Sequence, residues 1–191
     1  MDGNDRGNQT AAAIEHALAS NRAFVEGSTA RARDGRPRLG LAVVTCMDTR
    51  LTRLLPEALG LDDGDAVFVK VAGATIVEPY GEAMRSLLVA VGELGVTDIM
   101  VVGHTDCGTC GMASDHLLEA LERAGVPAGE IERAMARDPQ ARRALDGFEH
   151  LEDEVASSVR KIREHPLMPG SVRVGGFVVD VQTGELSPVA V

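Results

Sequence analysis

"LGLAVVTCMDTR" (39–50) is an apolar run that ends on a thiol and passes at once to a carboxylate and a guanidinium. A short continuous apolar stretch bounded by polar residues reads as a strand buried on both faces. Two more stretches have this form: "AVFVKVAG" (66–73), which closes on Gly73, and "DIMVVGH" (98–104), which closes on His104. Between them, "PYGEAMRSLLVAVGELG" places Met84, Leu87, Leu88, Val91 and Leu94 at helical spacing, with Gly95 as the stop. "SVRVGGFVVDVQTGEL" (171–186) predicts a last strand and a Thr-Gly turn. Strands alternating with helices predict an α/β fold: a mostly parallel central β-sheet flanked by helices. Ligands of such sheets bind beyond the carboxyl ends of the strands, where Cys46, Gly73 and His104 all fall.

The rest of the chain frames this sheet. Residues 1–9 read as a disordered polar tail. A helical pattern runs from Thr10 to about Glu26, with Ile14, Leu18 and Phe24 among alanines, and "STARARDGRPR" is a basic connector. The expected division is an N-terminal tail and helical arm over 1–37 and an α/β domain over 38–191. "LTRLLPEALG" reads as a short helix or turn. "GMASDHLLEALERAG", "AGEIERAMARD" and "ARRALDGFEHLEDEVASSVRKIREH" read as three charged helices bounded by Pro127, Pro139 and Pro166.

Composition excludes several function classes. The net charge of −10 repels phosphate backbones, and 3% aromatics with no Trp leaves little for base stacking, so no nucleic-acid partner is expected. No apolar run is long enough to span a bilayer. The polar "MDGNDRGNQT" has no secretory h-region, so a cytoplasmic location is expected. Three cysteines, an odd number, argue against a disulfide framework and for metal binding or catalysis.

The second informative stretch is "VVGHTDCGTCGM" (101–112). His104 and Cys107 stand at H-x-x-C spacing in a strand-to-helix turn bracketed by Gly103 and Gly108. With Cys46 they offer two thiolates and one imidazole, a set that suits Zn²⁺. Three protein ligands leave a position open for water, as in catalytic zinc sites. Asp48 and Arg50 follow Cys46 at steps of two, and in an extended segment all three project to one side. Arg50 would keep Asp48 ionised and oriented toward that water. Cys110 leaves an alternative open: it could complete a closed Cys₃His structural site, although a helix starting near Gly108 would turn it toward the core. Asp106 reads as a turn or first-turn acid. His16, His116, His150 and His165 read as solvated.

"CMDTR" followed by "GHTDCG", each after an apolar strand, resembles the β-class carbonic anhydrases, whose hallmark is C-x-D-x-R and then H-x-x-C. Cys46, Asp48, Arg50, His104 and Cys107 match it one for one. "FVKVAGAT" and "VGGFVVDVQTGEL" extend the likeness over roughly residues 38–186, although Val71 stands where the family often has Asn. The resemblance implies reversible hydration of CO₂ to bicarbonate and a proton by hydroxide formed at one zinc ion per chain. It also implies four parallel strands plus one added at an edge. The expected assembly is a homodimer or dimer-based oligomer, with the N-terminal helix wrapping its neighbour. Gly73 and Gly108 are the expected substrate contacts. In some members the motif Asp swings onto zinc in a closed state, a role open to Asp48. Val43 and Val44 stand where members with bicarbonate-controlled closure often carry Trp, which favours an open site. Related folds hydrolyse carbonyl sulfide or carbon disulfide on the same ligands. A non-catalytic zinc-stabilised module is the remaining alternative.

Overall fold

The structure, a computed structural model, describes residues 4–27, 34–138 and 140–191, with the side chains of 4–12 outside the description. Two compact units divide the chain, Met1–Asp34 and Gly35–Val191. In the first, helix α1 spans Asn4–Gly27. It begins at Asn4, so residues 4–9, expected as part of a disordered tail, are helical: polar side chains do not oppose a helix that no Pro interrupts. Residues 1–3 and most of the basic connector (28–33) lie outside the described residues. Ile14, Leu18, Phe24 and Val25 of α1 are exposed.

The second unit carries strands β1 (Leu41–Cys46), β2 (Ala66–Val71), β3 (Asp98–His104), β4 (Arg173–Val179) and β5 (Leu186–Val189) in one sheet. Its order is β2-β1-β3-β4-β5. The first four strands run parallel and β5 pairs antiparallel with β4 at the edge, as expected. Side-chain alternation splits each central strand between two cores. Ala42, Val44, Ile99 and Val101 pack with Met84, Leu87 and Ala90 of α3 (Glu82–Gly92) and with Val155, Val159 and Ile162 of α7 (Leu151–Arg163). Val43, Val102 and Val179 face the other way, onto Leu51 and Leu55 of α2 (Leu51–Ala58). Covering both faces is what makes β1 and β3 read as unbroken apolar runs.

Several expectations change. β2 is an edge strand, and only Val69 in it is buried, while Phe68 and Lys70, on the opposite face from Val69, are exposed. Helix α3 ends at Gly92, before Leu94, and Gly95 (φ +75) turns the chain so that the Val96 N–H reaches Ala90 O at 3.0 Å. The helix expected over 141–165 is broken. α6 covers Ala141–Leu145, α7 starts at Leu151, and residues 146–150 form a connector. That connector approaches the turn after β3: the Phe148 N–H reaches Thr109 O at 3.2 Å and the Gly111 N–H reaches Phe148 O at 2.8 Å. A Cβ on Gly147 would stand 1.9 Å from Thr109 O, so only glycine fits there. Helices α4 (Ser114–Arg123) and α5 (Ala128–Arg137) fall where the sequence places them. His165, expected in solvent, is buried against Tyr80, with ring centroids 5.2 Å apart. Among the described residues no helix is long and apolar enough to cross a membrane.

Candidate metal centre

Parallel pairing of β1 with β3 sets two strand tips side by side, and Cys46 and His104 are the last residues of those strands. The turn after β3 returns Cys107 to the same spot. The ligand atoms of Cys46, His104 and Cys107 all lie within 4.8 Å of one another, and all three residues are buried. The sulfurs are 4.0 Å apart. Two sulfurs bound at about 2.3 Å to a tetrahedral ion would stand roughly 3.8 Å apart, so the observed spacing fits one cation.

His104 supplies a further test. Its Nδ1 is 2.8 Å from Thr105 O. A carbonyl only accepts, so Nδ1 carries the proton and Nε2 presents a bare lone pair. That Nε2 is buried with no hydrogen-bond partner. An orphaned acceptor facing two thiols is costly unless a cation takes it, and a backbone bond fixing the other ring nitrogen is the usual arrangement of a metal-bound His. Burial pushes the Cys46 thiol up, while backbone N–H groups of Asp48 and Gly73 act the other way. The Gly73 N–H lies 3.3 Å from the Cys46 sulfur. A metal ion would convert both thiols to thiolates.

Asp48 and Arg50 stand at the mouth of this cluster. Asp48 Oδ2 is 3.9 Å from His104 Nε2. Arg50 grips it in two places, Nε to Oδ1 at 3.1 Å and Nη2 to Oδ2 at 2.8 Å, and adds its own backbone N–H to Oδ1 at 2.8 Å. The pairing is as expected, but its cause differs. Residues 47–50 are not extended: Arg50 is helical (φ −60, ψ −35) at the start of α2, and a tight turn brings it back onto Asp48. The guanidinium holds the Asp48 carboxyl down at about 2. Lys70 ties the same turn to β2, bonding the Asp48 carbonyl at 3.2 Å and the Thr52 hydroxyl at 2.8 Å.

Several residues join the site that spacing alone did not mark. Arg50 also bonds Asp106, Nη1 to Oδ2 at 3.0 Å and Nη2 to the backbone O at 3.0 Å. Asp106 is therefore more than a turn acid; its positive φ of 55, rare outside glycine, aims it at Arg50. Thr109 Oγ1 is 3.0 Å from the Cys107 sulfur. Phe148 packs with Cys46 and Cys107. Gly73 (φ +68) has no room for a Cβ, which would meet Thr109 Oγ1 at 2.6 Å and Phe148 at 2.9 Å. Gly108 is exposed, and a Cβ there would meet nothing within 4 Å.

Cys110 does not join the cluster. No helix begins at Gly108; α4 starts only at Ser114. Cys110 is exposed, with its Sγ 3.5 Å from Glu149 O. The bridge pairing it with Phe148 turns it outward, which removes both the expected burial in the core and the closed Cys₃His site.

The carbonic anhydrase family model matches residues 41–186. YvdA of Bacillus subtilis, whose name proposes a carbonic anhydrase, is 42% identical over 153 residues, 80% of this chain and 78% of its own length. A carbon disulfide hydrolase from Acidithiobacillus thiooxidans is 29% identical over 156 residues, 78% of this chain and 76% of its own. The crystal structure of β-carbonic anhydrase isoform I from Trichomonas vaginalis superposes with a TM-score of 0.81 at 30% identity, covering 92% of this chain and 96% of that one. The chain belongs to the β-class carbonic anhydrase family.

Proposed function

We propose that this family member catalyses the reversible hydration of CO₂ to bicarbonate and a proton at one zinc ion held by Cys46, His104 and Cys107. The observation that carries the reading is the buried, partnerless His104 Nε2 facing two sulfurs 4.0 Å apart. A zinc ion held there would lower the pKa of a bound water molecule far below that of bulk water, to about 7, and so supply hydroxide at neutral pH.

The chain's own groups orient the reactants. Asp48, ionised at any physiological pH, accepts a hydrogen bond from the attacking water and points its lone pair toward the substrate carbon. Arg50, fixed by Asp48 and Asp106, keeps that carboxylate in place and out of the ligand position, which favours an open site. Gly73 lets Thr109 and Phe148 pack tightly against the cluster, and the exposed Gly108, with nothing within 4 Å of a Cβ, is the position beside Cys107 that leaves room for a linear triatomic substrate. Phe148 and the aliphatic residues behind Cys46 exclude bulk water.

The exposed Ile14, Leu18 and Val25 of α1 repeat on one side of the helix, which supports a second copy as the surface that covers them. The working form is then a homodimer or dimer-based oligomer. Three free thiols suit the reducing cytoplasm. Stopped-flow CO₂ hydration with a pH indicator tests the activity: the zinc-loaded protein accelerates the pH drop, and a rate equal to buffer refutes the reading. The carbon disulfide hydrolase relative supports a second reading on the same ligands. Sulfide release from carbon disulfide or carbonyl sulfide, measured beside CO₂ hydration, ranks the substrates.

A further inference from the structure

The two ligand sulfurs are not bare: each sits beside at least one protein hydrogen-bond donor. Cys46 has the Gly73 N–H at 3.3 Å, and Cys107 has the Thr109 hydroxyl at 3.0 Å. A metal-bound thiolate has no proton to give, so at Cys107 the hydroxyl is the donor. We propose that Thr109 is a tuning residue of the metal centre, its hydroxyl drawing electron density from the Cys107 sulfur as the Gly73 N–H does from Cys46. This rests on the zinc reading above.

The chemical need is plain. Two thiolates cancel the formal charge of a dication and weaken it as a Lewis acid compared with three neutral imidazoles. Hydrogen bonds to sulfur return part of that charge, and hydrogen bonding around a Cys ligand is an established lever on metal electronics. The surroundings hold the donor in position. Thr109 O receives the Phe148 N–H at 3.2 Å, and Gly147 passes so close that a Cβ would stand 1.9 Å from that oxygen. On the other side, Gly73 leaves its Cβ position to the Thr109 hydroxyl, 2.6 Å away from it. Two chain segments thus require glycine where they meet this one threonine.

The test substitutes Co²⁺ for zinc and reads the sulfur-to-cobalt charge-transfer band, alone and in Thr109→Val and Thr109→Ser. Losing the hydrogen bond raises the sulfur lone pair in energy. The Thr109→Val band therefore moves to longer wavelength, while Thr109→Ser, which keeps the hydroxyl, overlays the parent. An unmoved Thr109→Val band, or a Thr109→Ser band that moves as far, overturns the proposal. Should Thr109→Val fail to fold, Thr109→Ala removes the hydroxyl without bulk and is read the same way. A parent protein that takes up no cobalt overturns the metal centre itself and this inference with it; cobalt bound with an unshifted band overturns this inference alone.

Discussion

Arg50 holds Asp48 through both carboxylate oxygens and through its own backbone N–H, two residues away. A second grip on Asp106, 56 residues on in sequence, ties the same guanidinium to the turn after β3. The pair is therefore a fixed arm, and its two members predict different failures.

Asp48→Asn keeps the ligand atoms but loses the ionised acceptor. Turnover in CO₂ hydration should fall about 10²-fold or more, with zinc content unchanged by elemental analysis. Rates within twofold of the parent would remove Asp48 from the mechanism.

Arg50→Lys should also impair turnover, because an ammonium cannot reproduce the two-point grip. Here the pH profile is the telling measurement. With Arg50, Asp48 stays ionised down to about 2. Without it the carboxyl returns toward the ordinary value near 4 and is freer to approach the metal. Both proteins lose rate below about pH 7 as the bound water protonates, so the variant-to-parent rate ratio is what reports Asp48: it should fall further as pH approaches about 4, and a ratio constant with pH would separate Arg50 from the ionisation of Asp48.

Cys46→Ala, Cys107→Ala and His104→Ala each remove one of three ligands. Zinc per chain should drop well below one, and the thermal midpoint should fall to that of the chelator-treated parent. A ligand variant that keeps a full complement of zinc would move the metal elsewhere.

Cys110→Ser tests the outward-facing thiol. Since Cys110 is exposed and its Sγ lies 3.5 Å from Glu149 O, outside the ligand cluster, zinc content and turnover should stay within about twofold of the parent. Loss of zinc would restore the fourth-ligand role that the geometry denies.

Asp98 and Arg173 face each other across β3 and β4, at 2.5 and 2.7 Å, and Arg173 holds the Asp98 carboxyl below the usual range. A lowered folded-state pKa contributes stability above the unfolded value, near 3.9, and loses it as pH falls through the folded one. Arg173→Met should therefore lower the urea midpoint slightly at pH 7, and the gap should close on acidification below about pH 4. A gap that widens in acid would show that the pair is not the cause.

What the sequence determined was local. Apolar runs of strand length, broken by a helix-period stretch, fixed the parallel sheet, because burial on both faces removes the polar alternation of an exposed strand. Cys46, Asp48, Arg50, His104 and Cys107 were legible because chain spacing alone places them at two strand tips. Only the tertiary structure decided the rest. Asp106 on Arg50, Thr109 on Cys107, and Phe148 in one apolar cluster with both cysteines depend on segments that meet through packing. The break at 146–150 follows from Gly147 fitting where no Cβ can go, a constraint set by Thr109 rather than by its own neighbours. The outward turn of Cys110 and the burial of His165 have the same origin. Periodicity reports which face of an element is buried. It carries no information about which distant atom will be waiting there.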